Sequence, residues 1–458
     1  MKLIEREYLY KLINVIGTPD IKVITGVRRS GKSKLLDMFE KYVEKNIENC
    51  NIISINFNLL KYENLKEYQA LNDYIESKYM EDKTNFVIID EVQMCDGFEK
   101  TINSLHATEK YDIYITGSNA FLLSSDLATL FTGRTFEIEI YPFSFKEFLL
   151  YYHNIYPDID DAFNKYVLEG GLAGSYLYKT EEEKYRYILD VYQTMIIRDI
   201  NTKYKIRNKE LLDNLNDFLM DNISNITSSR NIVKELIKND TKINHKTISS
   251  YIKYLCNAFL YYKVKRYDIQ GKRYLASQDK YYLSDHSFKY AKLGTKNMNY
   301  GRIYENIVAL ELLRRGYEIY VGVLHKKEID FVAIKQNEKI YIQVADNISD
   351  SKTFDREINS LLQIKDECNG FFWECKYKRK FVIQISFSSS INFNDNTVDY
   401  YRIDFNRYDK MYSNEFIKEL AQIVKEGINA KDEIVIKKPE KISVQGGEVL
   451  EVVFNDFE

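Results

Sequence analysis

The stretch that most restricts the fold of this 458-residue chain is Gly26-Val27-Arg28-Arg29-Ser30-Gly31-Lys32-Ser33. It matches G-x-x-x-x-G-K-[ST], the pattern of a phosphate-binding loop. The β-branched run 21–25 predicts a strand before it, and apolar residues at helical spacing in 35–43 predict a helix after it. Such a strand, loop and helix point backbone N–H groups and the positive helix end at one anion. We therefore predict that all eight residues bind ATP, with Lys32 at the β- and γ-phosphates and Ser33 at Mg²⁺.

Two acids follow a second predicted strand. The apolar run 86–89 is typical of a buried parallel strand, and Asp90 and Glu91 come directly after it. Ligands of open α/β sheets bind at the carboxyl ends of the strands. Asp90 is therefore expected to hold Mg²⁺, directly or through water, and Glu91 to orient and deprotonate the attacking water. A strand ending in two solvated acids is the alternative.

Two further candidates lie beyond the next strand, predicted at 111–116. Asn119 and the neighbouring Ser118 could contact the γ-phosphate or position water, or they could cap a loop. Arg134 precedes an alternating run at 136–140 and is a candidate arginine finger for a neighbouring subunit, or a surface arginine with a local partner. Arg28 and Arg29 are further cationic candidates. A finger acting between subunits would require a homo-oligomer.

Several of these motifs, taken together, resemble one prokaryotic family of AAA-type ATPases. The stretches that carry the resemblance are 26–33, 88–91, 116–119, 130–134, 141–148, 170–174 and 197–200. The resemblance covers residues 1 to about 405. It implies an AAA-type ATPase domain, a winged helix and a C-terminal restriction-endonuclease-like domain. It also implies Walker A, Walker B and sensor-1 roles for the residues already named, and leaves the arginine finger open.

The middle of the chain carries three amphipathic patterns followed by two strand patterns around Gly271-Lys272. Helices followed by a two-stranded wing are typical of a winged helix-turn-helix. A local set of basic residues could contact the phosphates of double-stranded DNA. Its members are Lys246, Lys253, Lys265, Arg266, Lys272 and Arg273, with Lys242, Lys263 and Lys280 nearby. The alternative is a module that packs between the other two domains.

The C-terminal region is similar to the PD-(D/E)xK nuclease core. Glu305 on a predicted helix, Asp330 on a strand and Gln343 on the next strand fill three of the four expected positions. Those acids would hold magnesium, and a lysine would activate water. Ala345 stands where the lysine belongs. We therefore expect a degenerate core and regard nuclease activity as the less favoured reading; migration of Lys339 or Lys326 into the site has no spacing to support it.

Composition limits the remaining classes. The net charge of −3 predicts no general attraction to nucleic acid, so any basic surface is local. Five scattered cysteines offer no zinc motif and fit a reducing compartment. The charged N-terminus lacks a signal-peptide core and no run of about 18 apolar residues occurs, so we expect a cytoplasmic protein with no membrane segment.

The predicted fold is therefore α/β in four parts. They are a P-loop AAA-type parallel-sheet domain (1–204), a winged helix (205–297), an α/β restriction-endonuclease-like domain (298–405) and a helix-and-hairpin extension (406–458). We expect ATP hydrolysis with Mg²⁺ to change how the later domains engage DNA or protein. The alternatives are an ATP-dependent binding switch with little turnover and an ATP-gated nuclease.

Overall fold

The structure is a computed structural model. It describes residues 4–117, 131, 133–152, 155, 158–236, 244–271, 273–295, 299–324, 327–336 and 338–345, together with short strands between 369 and 454. No helix among these residues is long and apolar enough to cross a membrane.

The first part is a sheet of five parallel strands in the order β2–β3–β4–β1–β5. The strands are β1 (Ile21–Thr25), β2 (Cys50–Asn56), β3 (Thr84–Asp90), β4 (Tyr111–Thr116) and β5 (Thr135–Glu139). The helices are α1 (Glu7–Ile13), α2 (Lys32–Asn46), α3 (Tyr68–Ser77) and α4 (Phe98–Ala107), with short 3₁₀ turns at Leu60–Leu65 and Val92–Met94. The predicted parallel sheet is confirmed, and β5 lies at an edge as its alternating sequence indicated.

Both faces of this sheet are covered, which explains its continuous apolar strands. Successive side chains of a strand point to opposite faces. Val87 and Ile89 pack with α3 and α4, whereas Phe86 and Ile88 pack with α1 and α2. The carboxyl ends of β1 and β3 lie at the same edge of the sheet with β4 between them, and this arrangement positions the candidate site.

A helical layer follows the sheet. Its helices are α5 (Phe145–Tyr151), α6 (Ile159–Glu169), α7 (Glu181–Thr194), α8 (Lys209–Asp221), α9 (Ser229–Leu236), α10 (His245–Asn257) and α11 (Ser287–Leu293). A 3₁₀ turn at Ala173–Leu177 precedes α7, and a π-helical segment at Met195–Thr202 extends it. Asn244 caps α10 by accepting a hydrogen bond from the backbone N–H of Lys246.

A second, mixed sheet has the order β11–β10–β9–β8–β6–β7. Its strands are β6 (Tyr261–Asp268), β7 (Arg273–Leu283), β8 (Glu318–Leu324), β9 (Lys327–Lys335), β10 (Glu338–Ala345) and β11 (Asn369–Glu374), and α12 (Tyr300–Arg314) packs against it. β6 and β7 form the expected antiparallel hairpin, yet β6 also pairs in parallel with β8. One sheet thus spans the predicted boundary at 297–298. The assignment of α8–α10 and the hairpin as a winged helix remains a prediction.

The second sheet is joined to the first by packing. Leu310 of α12 lies in the same apolar cluster as α1 and α2. The Tyr262 hydroxyl of β6 donates a 2.5 Å hydrogen bond to Glu139 of β5. Burial raises the pKa of Glu139 to about 7, although the hydrogen bonds that two tyrosine hydroxyls donate to it act to lower that pKa.

The extension contains β12 (Tyr400–Arg402), β13 (Ile434–Val435), β14 (Ile442–Val444), β15 (Gly447–Glu451) and β16 (Val453–Phe454). β14 and β15 pair antiparallel with Val444 opposite Gly447, as the predicted terminal hairpin requires. β13 pairs antiparallel with β16. The helical pattern predicted around 416–424 lies outside the described residues.

Candidate nucleotide site and a second carboxylate cluster

The predicted phosphate loop joins β1 to α2 and depends on two glycines. Gly26 has φ +129° and Gly31 has φ +100°, in the region that side chains disfavour. A Cβ on Gly26 would lie 2.1 Å from the carbonyl oxygen of Ile140. Gly31 also precedes the first turn of α2, whose N–H groups have no partners within the helix. The motif therefore has the backbone that its pattern predicted.

Lys32 lies inside the loop. Its Nζ donates to the carbonyl oxygens of Gly26 and Val27, at 2.8 and 3.1 Å. Burial lowers the pKa of Lys32 to about 8, while the carboxylate of Glu91 acts in the opposite direction. The free protein thus holds a poorly solvated ammonium group, which would gain from a nearby anion.

The two predicted acids have different surroundings. Asp90 is buried at the end of β3, and its two oxygens accept hydrogen bonds from Thr116 and Asn56. Glu91 has φ +58°, and its backbone N–H donates to the Thr116 hydroxyl at 3.2 Å. Left-handed backbone at a residue other than glycine is costly and is often found at functional sites. The sharp turn directs Glu91 into the pocket beside the loop.

That pocket has a volume of about 630 Å³. The loop and α2 form one wall, and the 3₁₀ turn, α7 and the π-helical segment form another. Its charged lining consists of six cations and two acids: Arg6, Arg28, Arg29, Lys32, Lys34, Arg198, Glu91 and Asp199. Such an excess of positive charge fits an anionic ligand. Ser33 also lines the pocket, and the buried Ser30 hydroxyl has no hydrogen-bond partner among the described residues.

Two ion pairs support the loop, and the sequence did not indicate either. Arg28 makes a two-pronged pair with Asp199 of the π-helical segment, with Nε and Nη2 at 3.1 and 2.8 Å from the carboxylate. Arg6 donates to the Ser30 carbonyl at 2.6 Å and to Glu147. The partners are 171 and 141 residues apart. No local pattern could have found these pairs, since only the fold brings them together.

The structure says less about the two other predicted catalytic residues, Arg134 and Asn119. Arg134 is exposed, and its backbone carbonyl accepts from the N–H of Ile21. Asn119 lies outside the described residues. The Ser33 hydroxyl and the Asp90 carboxylate offer the oxygen ligands that Mg²⁺ prefers, so the residues present fit that ion.

The predicted basic surface is only partly available. Lys246, Lys253 and Lys265 are exposed, whereas Arg266 donates to Gln278 at 2.7 Å. Lys272 and the side chain of Arg273 lie outside the described residues. Grouping Lys280 with this basic set was wrong, because its side chain is only 2% exposed and faces acids.

Lys280 instead joins the predicted nuclease-like residues, which the structure does bring together. Its Nζ lies 2.7 Å from Glu305, 3.4 Å from Asp330 and 2.6 Å from Glu328. Gln343 accepts a 3.2 Å hydrogen bond from the backbone N–H of Asp330. Lys339 lies against the rings of Tyr267 and Tyr341 and does not supply this cation, and Lys326 lies outside the described residues. Sequence reasoning missed Lys280 because it comes from the hairpin, before the helix of Glu305.

Comparison with known proteins places the sheet and the loop in one class. A family described as an AAA domain matches residues 18–149, and a domain of unknown function matches residues 160–299. The chain therefore carries a P-loop domain of the AAA type.

Two relatives match this chain over most of its length. An uncharacterized protein of Haemophilus influenzae is 39% identical over 381 residues, which cover 82% of this chain and 94% of that protein. An uncharacterized protein of Methanocaldococcus jannaschii is 30% identical over 372 residues, covering 78% and 81%. The chain belongs to the family of AAA-domain proteins that these two relatives represent.

Solved structures are more distant. The ORC1 protein of Aeropyrum pernix in complex with DNA is 11% identical with a TM-score of 0.30, covering 69% of this chain and 94% of that chain. AMPPCP-bound DnaA from Aquifex aeolicus is 15% identical with a TM-score of 0.29, covering 54% and 86%.

Proposed function

We propose that this chain binds ATP with Mg²⁺ at the loop Gly26–Ser33 and hydrolyses it. The observation that carries the proposal is the pocket in which Lys32, Ser33 and Glu91 line one cationic space. The AAA-domain match to the same residues supports it. An orphaned hydroxyl at Ser30 and an ammonium with a lowered pKa at Lys32 are both groups that a phosphate would stabilise.

Each residue has a role in this proposal. The backbone of the loop and the N-terminal end of α2 hold the phosphates. Ser33 and Asp90, the latter directly or through water, would hold Mg²⁺, which would screen the charge on the phosphates. Glu91 orients the attacking water and accepts its proton. Thr116 and Asn56 hold Asp90 in place through the hydrogen bonds already described.

The loop assignment is tested with Lys32→Ala. Because hydrogen bonds to charged groups contribute about 1.5–3 kcal/mol, ATP affinity should fall roughly 10- to 100-fold, as measured by calorimetry. Lys41→Ala is the matched control, since Lys41 is an exposed lysine of the same helix α2 and does not line the pocket. Equal affinity in Lys32→Ala and the wild type would contradict the proposal.

The pair between Arg28 and Asp199 gives a route from nucleotide to the helical layer. Both residues line the pocket, and Asp199 belongs to the π-helical segment. Burial disfavours the charged form of Arg28, but the bond and charge of Asp199 raise its pKa overall. A phosphate would compete with Asp199 for the same guanidinium. ATP would then loosen Met195–Thr202 from the loop, as expected for a binding switch.

Hydrogen exchange over residues 195–202 tests this coupling. ATP should increase exchange there in the wild type, and Asp199→Asn should show the faster exchange without ATP. Exchange that does not respond to ATP would refute the coupling. An ATP response together with phosphate release near zero would favour a switch over an ATPase that turns over.

Binding of double-stranded DNA and assembly into a homo-oligomer also belong to the proposal. Three exposed lysines favour DNA contact: Lys246, Lys253 and Lys265. Their joint replacement by alanine should weaken duplex binding and reduce its salt dependence.

Sizing the protein with and without ATP tests assembly. If it assembles, restoration of turnover on mixing Arg134→Ala with Glu91→Gln would assign Arg134 to the neighbouring subunit's site.

A further inference from the structure

The carboxylate cluster formed by Lys280, Glu305, Glu328 and Asp330 contains its own cation. The Lys280 ammonium lies 2.6 to 3.4 Å from one oxygen of each acid. Its side chain is only 2% exposed, so it is a fixed internal group. The same strand provides Tyr282, whose hydroxyl donates a 2.7 Å hydrogen bond to Glu305. Residues i and i+2 of a strand share a face, which explains how β7 supplies both donors.

The hydrogen-bonding capacity at the centre is largely used. An ammonium group has three N–H donors, and three carboxylates surround this one. The other oxygen of Asp330 accepts from the backbone N–H of Val344 at 2.8 Å. The side-chain oxygen of Gln343, the atom with which it could ligate a metal, accepts from the backbone of Asp330. Both oxygens of Asp330, the side-chain oxygen of Gln343 and one oxygen of Glu305 therefore already accept hydrogen bonds within the protein.

We propose that the Lys280 ammonium occupies the place of a divalent metal ion in this site, so that the cluster holds the β6–β7 hairpin against β9 and α12 and binds no metal. Removal of that ammonium should uncover a latent divalent-cation site made by Glu305 and Asp330. The presence of the Lys280 ammonium in place of a metal ion also explains how the chain tolerates Ala345 at the position where a nuclease core has lysine.

Geometry distinguishes this arrangement from a working nuclease site. A divalent ion such as Mg²⁺ requires oxygens at about 2.0–2.1 Å, where it would displace the ammonium from the same atoms. A lysine that activates water must have an N–H or lone pair available to that water, whereas the ammonium of Lys280 lies 2.6 to 3.4 Å from three carboxylates of its own chain. Among the residues that the structure describes, no group of three His, Cys, Asp or Glu side chains is arranged to hold a metal ion.

Mn²⁺ binding to the full-length, nucleotide-free chain tests the proposal, with bound ion measured by electron paramagnetic resonance. Four proteins are compared: the wild type, Lys280→Met, Lys280→Met with Asp330→Asn, and Lys263→Met. Lys263 is the matched control because it is a neighbouring hairpin lysine that pairs with Asp279 at 2.8 Å and is partly exposed. We expect Lys280→Met to gain one Mn²⁺ site that the double variant loses, with the wild type and Lys263→Met alike.

Two results would overturn the proposal. One is a folded Lys280→Met protein that gains no Mn²⁺ site. The other is a wild-type Mn²⁺ site that Glu305→Gln removes, which would mean that the cluster binds metal with Lys280 beside it. The comparison of the wild type with Glu305→Gln does not need Lys280→Met to fold. Equal Mn²⁺ binding by these two proteins supports the proposal. Neither outcome depends on ATP, so each is independent of the proposed nucleotide site.

Discussion

The two lysine–carboxylate clusters of this chain contain the same residue types but differ in what surrounds the lysine. Lys32 has Glu91 and Asp90 nearby, and Lys280 has Glu305, Glu328 and Asp330. At the first cluster the ammonium donates to backbone carbonyls, and cations outnumber acids around an open pocket. At the second the ammonium donates to carboxylates, and three acids surround one buried cation.

The two clusters differ in whether the charge of the lysine is balanced by neighbouring carboxylates. Burial lowers the pKa of Lys32, so its ammonium lacks a sufficient counter-charge until an anion arrives. Burial would lower the pKa of Lys280 as well, but the surrounding carboxylates raise it overall. The first site is thus prepared for a ligand of negative charge, whereas at the second the charge of the ammonium is balanced by carboxylates of the same chain.

Glu91→Gln should have the largest effect on this comparison. If the first site is catalytic, loss of its general base should lower turnover by about 10²- to 10⁴-fold while ATP affinity changes little. Phosphate release and calorimetry measure the two quantities. Glu63→Gln, at an exposed acid paired with Lys66, serves as the control. Turnover that is equal in Glu91→Gln and the wild type would remove Glu91 from the chemistry.

Lys280→Met should have the largest effect on folding. Removing one partner of a buried ion pair typically costs about 3–5 kcal/mol, whereas an exposed pair contributes about 0–1 kcal/mol. Denaturant unfolding should therefore show a much greater loss for Lys280→Met than for Lys263→Met. Similar, small losses in both would show that the second cluster is not the fixed centre that its burial indicates.

The pH dependence of that loss has a definite sign. Burial raises the pKa of Glu305 from 4.5 to about 8, although Lys280 opposes the shift. A carboxyl whose pKa is raised on folding binds its proton more tightly in the folded state. Its contribution to stability is therefore present at low pH and declines as pH rises through about 8. Without Lys280 the raised pKa should rise further, so the variant should lose more stability at pH 8.5 than at pH 6.

Sequence patterns predicted almost all residues of the Lys32 cluster but only some of those in the Lys280 cluster. The glycine loop and the acids after β3 are local motifs, and their spacing fixes where they lie in a parallel sheet. The four-residue nuclease pattern correctly grouped Glu305, Asp330 and Gln343, but it looked for lysine on β10. The cation comes from β7 because the second sheet is shared between two predicted domains. Contacts between residues far apart in sequence, such as Arg28 with Asp199, leave no periodic signal at all.

The pH dependence of ATP affinity is the smallest effect that separates the two lysines. With a pKa of about 8, Lys32 in the free protein loses its charge between pH 7.5 and pH 9.5, whereas Lys280, with a raised pKa, keeps its charge there. A bound phosphate favours the ammonium, so above pH 8 ATP binding must take up a proton, and affinity should fall roughly tenfold by pH 9. Calorimetry in buffers of different ionisation enthalpy would detect that proton. Lys32→Arg keeps its charge over the whole range and should lose the slope, while Lys280 variants that fold should retain it. A flat affinity in the wild type would mean that Lys32 is charged in the free loop, and that the local carboxylates balance burial at the first cluster as they do at the second.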